Sequence, residues 1–359
     1  MKDNNIAKYI IYIFVAILGM IVLNLFLDSY QVRILNLCFI YIILGLSMNL
    51  INGFTGLFSL GHAGFMAIGA YTVAILTMTP EMKEMNFYMK PIMPVLLNIN
   101  VPFIIALLLG GLLAAVFGFL IGAPVLKLTD DYLAIATLGF SEIIRVVIIN
   151  LQSITNGALG LKGLPPKTNE FITDLLNKLF GIRITPRINL LWAGIIAIIT
   201  IIFIYLLMKG SYGKAFKAIR EDEIAARSMG INIFKHKVMS FTIGSFLAGM
   251  GGGLLAVSLG TIDPTLFKFA LTWNILLIVV LGGMGNINGT VISAIIVTIA
   301  MEALRFLDES INLGFMQTPA LPGLRMVVFS IILMAVVIFK KDNMIKSTLE
   351  KVRGRYAKN

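Results

Sequence analysis

The chain has 359 residues, of which 58% are hydrophobic and only 13% charged, and its mean hydropathy is +0.93. Soluble domains carry about 25% charged residues, so there is too little charge here to cover a water-facing surface. Two stretches beside apolar runs, 209–237 and 340–359, supply nine of the eleven net positive charges, a distribution that marks cytoplasmic loops rather than a nucleic-acid surface.

The apolar runs are continuous instead of alternating, and many are long enough for a hydrocarbon core of about 30 Å. They predict an all-α polytopic membrane protein, a bundle of about ten transmembrane helices forming a single domain over 1–359, and not a barrel. In chain order the spans lie near 9–27, 33–51, 60–78, 101–121, 132–151, 189–208, 238–259, 266–282, 290–307 and 321–339. The first follows a basic start but is too long for a cleaved signal, so it reads as a retained span. Cys38, the only cysteine, lies in the second span, which excludes an intrachain disulfide and a cysteine-based metal site. With both basic segments inside, the parity closes: the N- and C-termini are cytoplasmic and the loop 152–188 is external despite its net positive charge.

The third span opens in a glycine-rich stretch, "FTGLFSLGHAGFMAIGAY", with Gly56, Gly61, His62 and Gly64. Such density breaks a helix and frees backbone groups that must be satisfied inside protein. Broken helices of this kind line substrate paths in transporters; tight helix packing is the plainer reading. His62 reads as a hydrogen-bonding residue holding the break, and His236, between two lysines, as solvated. The fifth span carries Glu142 and Arg145, i,i+3 neighbours that pair and face the bundle interior or touch a zwitterion in transit. The loop "TNGALGLKGLPPK" is turn-rich and external.

Residues 209–237 form a cytoplasmic segment. "GSYGKAF" lacks the spacing and the hydroxyl residue of a phosphate loop, so no ATP site resides there. Wound as one helix, Ala215, Ala218, Ile219, Ala226 and Met229 share a face interrupted by Asp222, with Lys217, Arg220 and Arg227 elsewhere and Glu223–Arg227 as an i,i+4 pair. A face built mostly of alanine gains little from lipid and suits a groove in another protein. Gly230 ends the helix.

In the seventh span Gly244, Ala248 and Gly252, and one position on Ser245, Gly249 and Gly253, repeat every four residues, which lets helices approach closely. "LGGMGNING" follows the eighth span, where Asn286 and Asn288 cap a helix or close an inner gate. Glu302, Arg305, Asp308 and Glu309 form a solvated cap or meet an external protein.

"EIAARSMGIN" (Glu223 to Asn232) resembles the coupling loop of ABC importer permeases: Ala225, Ala226 and Gly230 match its Ala-Ala-x3-Gly core, with the acidic residue displaced by one position and the later proline absent. Gly45–Thr77, Asp130–Leu151, Thr155–Pro165 and Leu281–Ala294 resemble, in the right order, one group, the Liv-type branched-chain amino acid ABC transporter permeases and in particular their LivM-like members. The likeness runs from about 33 to 340.

The resemblance implies a permease subunit passing branched-chain amino acids inward. Its partners would be a second homologous permease, two cytoplasmic ABC ATPases and an extracytoplasmic substrate-binding protein. The coupling helix would comprise Lys214, Ala218, Ile219, Arg220, Glu223, Ala225, Ala226 and Gly230, and the translocation path would involve Gly56, Gly61, His62, Gly64, Glu142, Arg145, Asn286 and Asn288. No cofactor, metal or catalytic set is expected. Urea or short-chain amide permeases of the same superfamily are the nearest alternative. An ion-coupled transporter needs intramembrane acids that the spans lack apart from Glu142.

Overall fold

The computed structural model describes residues 27–128, 130–164 and 189–305, with positions 19, 323–324, 327–331 and 334. Nearly all of the expected first span, most of the tenth, Asp308, Glu309 and the tail 340–359 lie outside the described residues. The chain forms two compact units, Met1–Ile295 and Ile296–Asn359. In the second, Arg305 pairs with Glu302 at 3.0 Å.

The helices are α1 (Ser29–Met48), α2 (His62–Thr77), α3 (Pro80–Asn86), α4 (Pro94–Leu97), α5 (Phe103–Val125), α6 (Asp130–Asn150), α7 (Gln152–Thr155), α8 (Asn189–Lys209), α9 (Ser211–Glu221), α10 (Glu223–Ser228), α11 (Ile233–Leu259), α12 (Phe269–Gly282) and α13 (Ile287–Ala303). Among the described residues five are long and apolar enough to cross a membrane: α1 with its π-helical extension Asn49–Phe54, α5, α6, α8 and α11; α2, α12 and α13 are shorter and apolar. At 1.5 Å per residue α5 reaches about 35 Å, whereas the 16 residues of α2 reach only about 24 Å. The missing length of α2 is the irregular segment Gly56–Gly61 before it.

α11 is the central post, packed against α5, α2 and α1. Its small residues explain why. A Cβ on Gly252 would fall on the carbonyl oxygen of Met66 in α2, and one on Gly249 would stand 2.5 Å from the Ala114 Cβ of α5. A Cβ on Gly69 of α2 would in turn strike the Gly249 carbonyl. Backbones therefore touch across α2 and α11, which maximises dispersion contact where lipid offers no hydrophobic drive. Large side chains point outward from the peripheral helices, such as Leu112, Leu120, Ile143 and Ile199, each more than half exposed, as a lipid-facing surface requires.

The connections segregate to two ends. At one end β1 (Leu161–Lys162) pairs antiparallel with β2 (Thr261–Ile262), which joins the ends of α6 and α11. Asn86 of α3 brackets β1, its amide donating to the Lys162 carbonyl at 2.9 Å and its oxygen accepting from the Lys162 amide at 2.8 Å. The loop 155–163 reverses through positive-φ residues at Asn156, Gly157, Gly160 and Gly163. Thr79 caps α3, with Pro80 in its first turn.

Lys83 is fully buried in this end cap, donating to the carbonyls of Leu96 (2.7 Å), Leu97 (3.4 Å) and Ile99 (2.5 Å). It neutralises the carbonyl end of α4. Lys83→Met leaves those carbonyls without a charged donor, and we expect a loss of about 2–3 kcal/mol, read as a lower midpoint of thermal unfolding. Burial holds the Lys83 ammonium below its ordinary pKa of 10.5. The unfolded chain then binds the extra proton, so this group's contribution to stability rises with pH between the lowered value and 10.5.

Candidate coupling site

The segment 209–237 departs from a single helix. α9 ends at Glu221, Asp222 is extended (φ −161°, ψ 114°), and α10 restarts at Glu223. The carboxylate of Asp222 accepts from the amides of Ile224 (2.8 Å) and Ala225 (3.0 Å). An aspartate satisfies orphan donors better as an N-cap than within a helix, so the chain breaks where the expected face was interrupted. Gly230 (φ +80°) then turns the chain, and Asn232 caps α11 by accepting from the Lys235 amide at 3.0 Å.

The break rearranges the predicted faces. Ala215, Phe216, Ile219 and Ala226 are buried, and Ile219 and Ala226 pack with Ile233 of this same chain, flanked by Ala218 and Ile231. The alanine face is thus used internally rather than offered outward. The outward face holds Ile224 (80% exposed), Met229 (82% exposed), Ala225 and Ser228, with Lys214, Lys217 and Arg227 also exposed. Glu223 pairs with Lys237 instead of Arg227: Lys237 is buried at the start of α11, and a buried ammonium demands a counter-charge more strongly than an exposed guanidinium does. His236 stands between the rings of Tyr212 and Phe216 rather than free in solvent, with Nδ1 2.7 Å from the Asn232 carbonyl.

Arg220 leads back into the bundle. Its Nη1 donates to the carbonyl of Gly53 at 2.9 Å, in the π-helical extension of α1. Gly56 and Gly285, both at φ +80°, make room for it; a Cβ on Gly285 would lie 2.5 Å from Arg220 Nη1, and one on Gly56 3.0 Å from its Cγ. Asn49, fully buried, ties the same π-turn to the loop before α13. Its oxygen accepts from the Gly285 amide at 2.8 Å, and its amide donates to Thr290 Oγ1 at 2.8 Å and to the Asn286 carbonyl at 3.2 Å. π-turns of this kind concentrate at functional sites. Asn286 caps α13 by accepting from the Gly289 amide at 3.1 Å, whereas Asn288 is exposed in the first turn.

The glycine-rich break is satisfied by hydroxyls of neighbouring helices. Thr137 of α6 accepts from the Leu60 amide (3.0 Å), and Thr272 of α12 accepts from the Ala63 amide (2.9 Å). His62 is buried with Nε2 2.9 Å from Ser47 Oγ, which donates its only hydrogen to the Gly244 carbonyl at 2.7 Å. Nε2 therefore carries the hydrogen, and His62 pins α2 to α1 and α11. Gly61 and Gly64 are pressed against α6: added Cβ atoms would meet the Thr137 carbonyl at 2.7 Å and Ser141 Cα at 2.9 Å.

Glu142 and Arg145 do pair, Arg145 Nε donating to Glu142 Oε1 at 2.9 Å. Contrary to the expectation, Glu142 does not face the interior of this chain, whereas the Arg145 side chain is only 18% exposed. α6 is a peripheral helix, and the Glu142 side chain is 49% exposed. The buried hydroxyls and amides of Asn49, Ser47, Thr137, Thr272 and Thr290 escaped the sequence reading. Their signal was legible as polar residues inside otherwise apolar spans.

The high-affinity branched-chain amino acid transport system permease protein LivM of Escherichia coli K12 is 37% identical over 292 residues, 77% of this chain and 64% of the relative. The chain thus spans less than two thirds of that relative's length. The probable branched-chain amino acid transport permease protein LivM of Methanocaldococcus jannaschii is 24% identical over 332 residues, covering 85% of this chain and 90% of the relative. The Escherichia coli LivH permease protein is 29% identical over 160 residues, covering 44% of this chain and 50% of the relative. No solved structure matches the chain. Residues 30–337 match the family model described as the branched-chain amino acid transport system permease component, and the chain belongs to that family.

Proposed function

We propose that this chain is the membrane-spanning permease subunit of an ATP-binding-cassette importer that passes branched-chain amino acids inward. One observation supports this reading above the others: a helical hairpin outside the spans, α9–α10, exposes an apolar patch at Ile224 and Met229 while its Arg220 grips the broken end of α1. An ATPase seated on that patch has a direct route to move the bundle. The relatives named for branched-chain amino acid transport support the substrate class over urea or amides.

In this reading the chain has ten spans with both termini in the cytoplasm. It pairs with a second, LivH-like permease, two ATPases bind below, and a substrate-binding protein delivers the amino acid from outside. In the same reading the path runs near the start of α2, which the glycine-lined break beside His62 supports. ATP hydrolysis belongs to the partners.

The test is co-purification of the ATPase with the wild-type chain and with the Ile224→Asp, Met229→Asp variant, alongside uptake of leucine, isoleucine, valine and urea. Both substituted side chains are exposed, so the variant should fold. We expect it to lose the ATPase and uptake together. Retention of the ATPase by the variant would move the docking surface elsewhere, and uptake that follows an ion gradient without ATPase would defeat the importer reading.

A further inference from the structure

A cavity of about 470 Å³ opens where α5 ends and α11 begins, beside α10. Three cations line it, Lys127, Arg227 and Lys237, against one carboxylate, Glu223. Lys237 is buried and pairs with Glu223. Lys127 and Arg227 are exposed and enter no ion pair among the described residues; Lys127 Nζ rests 5.7 Å above the Phe234 ring. The remaining wall is apolar, with Phe234 43% and Leu128 45% exposed. This combination sits where two spanning helices, α5 and α11, reach their ends on the side of the coupling hairpin.

We propose that the cavity binds a phosphate group, presented by an anionic phospholipid of the adjoining leaflet. Unpaired cations beside a spanning bundle attract anionic headgroups by about 1 kcal/mol each, and a guanidinium with an ammonium can grip a phosphodiester from two sides. The apolar wall favours a phosphate carried on acyl chains over a free ion. Among the described residues, no other group in the cavity offsets the two open charges. A phosphate held there bridges α5, α10 and the start of α11, and so fixes the hairpin against the bundle. That last consequence rests on reading α10 as the ATPase-facing helix; the binding itself does not.

The experiment uses the purified full-length chain in neutral detergent without ATPase, so its outcome is independent of importer function. Dihexanoylphosphatidylglycerol, dihexanoylphosphatidylcholine and inorganic phosphate are titrated, and the shift in thermal unfolding midpoint is followed. We expect saturable stabilisation by phosphatidylglycerol alone. Arg227→Ala should weaken it about fivefold, and Lys127→Ala with Arg227→Ala about 25-fold. Lys162→Ala, an exposed lysine at the opposite end of the bundle, should leave it unchanged. Equal stabilisation by inorganic phosphate would make the site one for a free anion and overturn the lipid. Equal stabilisation by phosphatidylcholine, equal weakening in the Lys162 variant, or no shift at all would overturn the site.

Discussion

Gly252→Leu should leave no folded bundle, and Gly252→Ala should already lower stability by about 3 kcal/mol or more. The reason is geometric: the first atom of any side chain there lands on the backbone oxygen of Met66. A flexible side chain can swing aside at modest cost, but a carbonyl inside a helix cannot move without moving the helix. Separating α2 from α11 would also undo the neighbouring contact between Gly69 and Gly249 and strain the link from His62 of α2 through Ser47 to the Gly244 carbonyl. Gly139→Ala in α6 is the control, since a Cβ there meets nothing within 4 Å. Helix propensity alone should make it neutral or stabilising by up to about 1 kcal/mol. Thermal unfolding and monodispersity of both purified variants check this. Normal stability in Gly252→Ala would show that α2 and α11 do not meet backbone to backbone.

In the proposed importer, Arg220→Ala should separate ATP hydrolysis from transport. The variant keeps the buried contacts of Phe216, Ile219 and Ala226, so the hairpin remains folded and still presents Ile224 and Met229. It loses the bond from Arg220 to the Gly53 carbonyl, the direct polar link from hairpin to broken helix. A charged hydrogen bond to a partly buried carbonyl is worth about 1.5–3 kcal/mol, which corresponds to a loss of uptake of about 10- to 160-fold while hydrolysis continues. Gly285→Ala should act through the same contact, because its Cβ would crowd the guanidinium at 2.5 Å on a backbone at φ +80°. In the Arg220→Ala background the crowding is absent and only backbone strain remains, so the double variant should lose less than the two single losses combined. Full additivity would mean that Arg220 and Gly285 act separately. Unchanged uptake in Arg220→Ala would mean that the hairpin moves the bundle by another route.

These two predictions rest on different kinds of information. The stripe Gly244–Ala248–Gly252 is visible in the sequence because helical periodicity puts every fourth residue on one face. Its partners are not visible, because Met66 and Gly69 lie about 180 residues earlier and no local rule pairs them. Arg220 was legible as one cation among seven in a basic loop and, through the resemblance, as part of a coupling helix, but its partner was not. A cation facing water and a cation donating to a broken helix have the same sequence signature, and only the fold separates them.

The same division holds elsewhere. Apolar runs determined the membrane class, because a backbone in lipid must satisfy itself within a helix, and the described spans fall close to where those runs lie. The terminator at Gly230 was an equally local matter, as was the cap by Asn286. Tertiary structure decided what depends on competition between distant groups. Lys237 claimed Glu223 from Arg227, and packing against Ile233 turned the alanine face inward. It also left Glu142 at the surface of a peripheral helix. Sequence periodicity says which residues share a face, but which face is buried depends on the neighbour that covers it, and that neighbour is supplied by the rest of the chain.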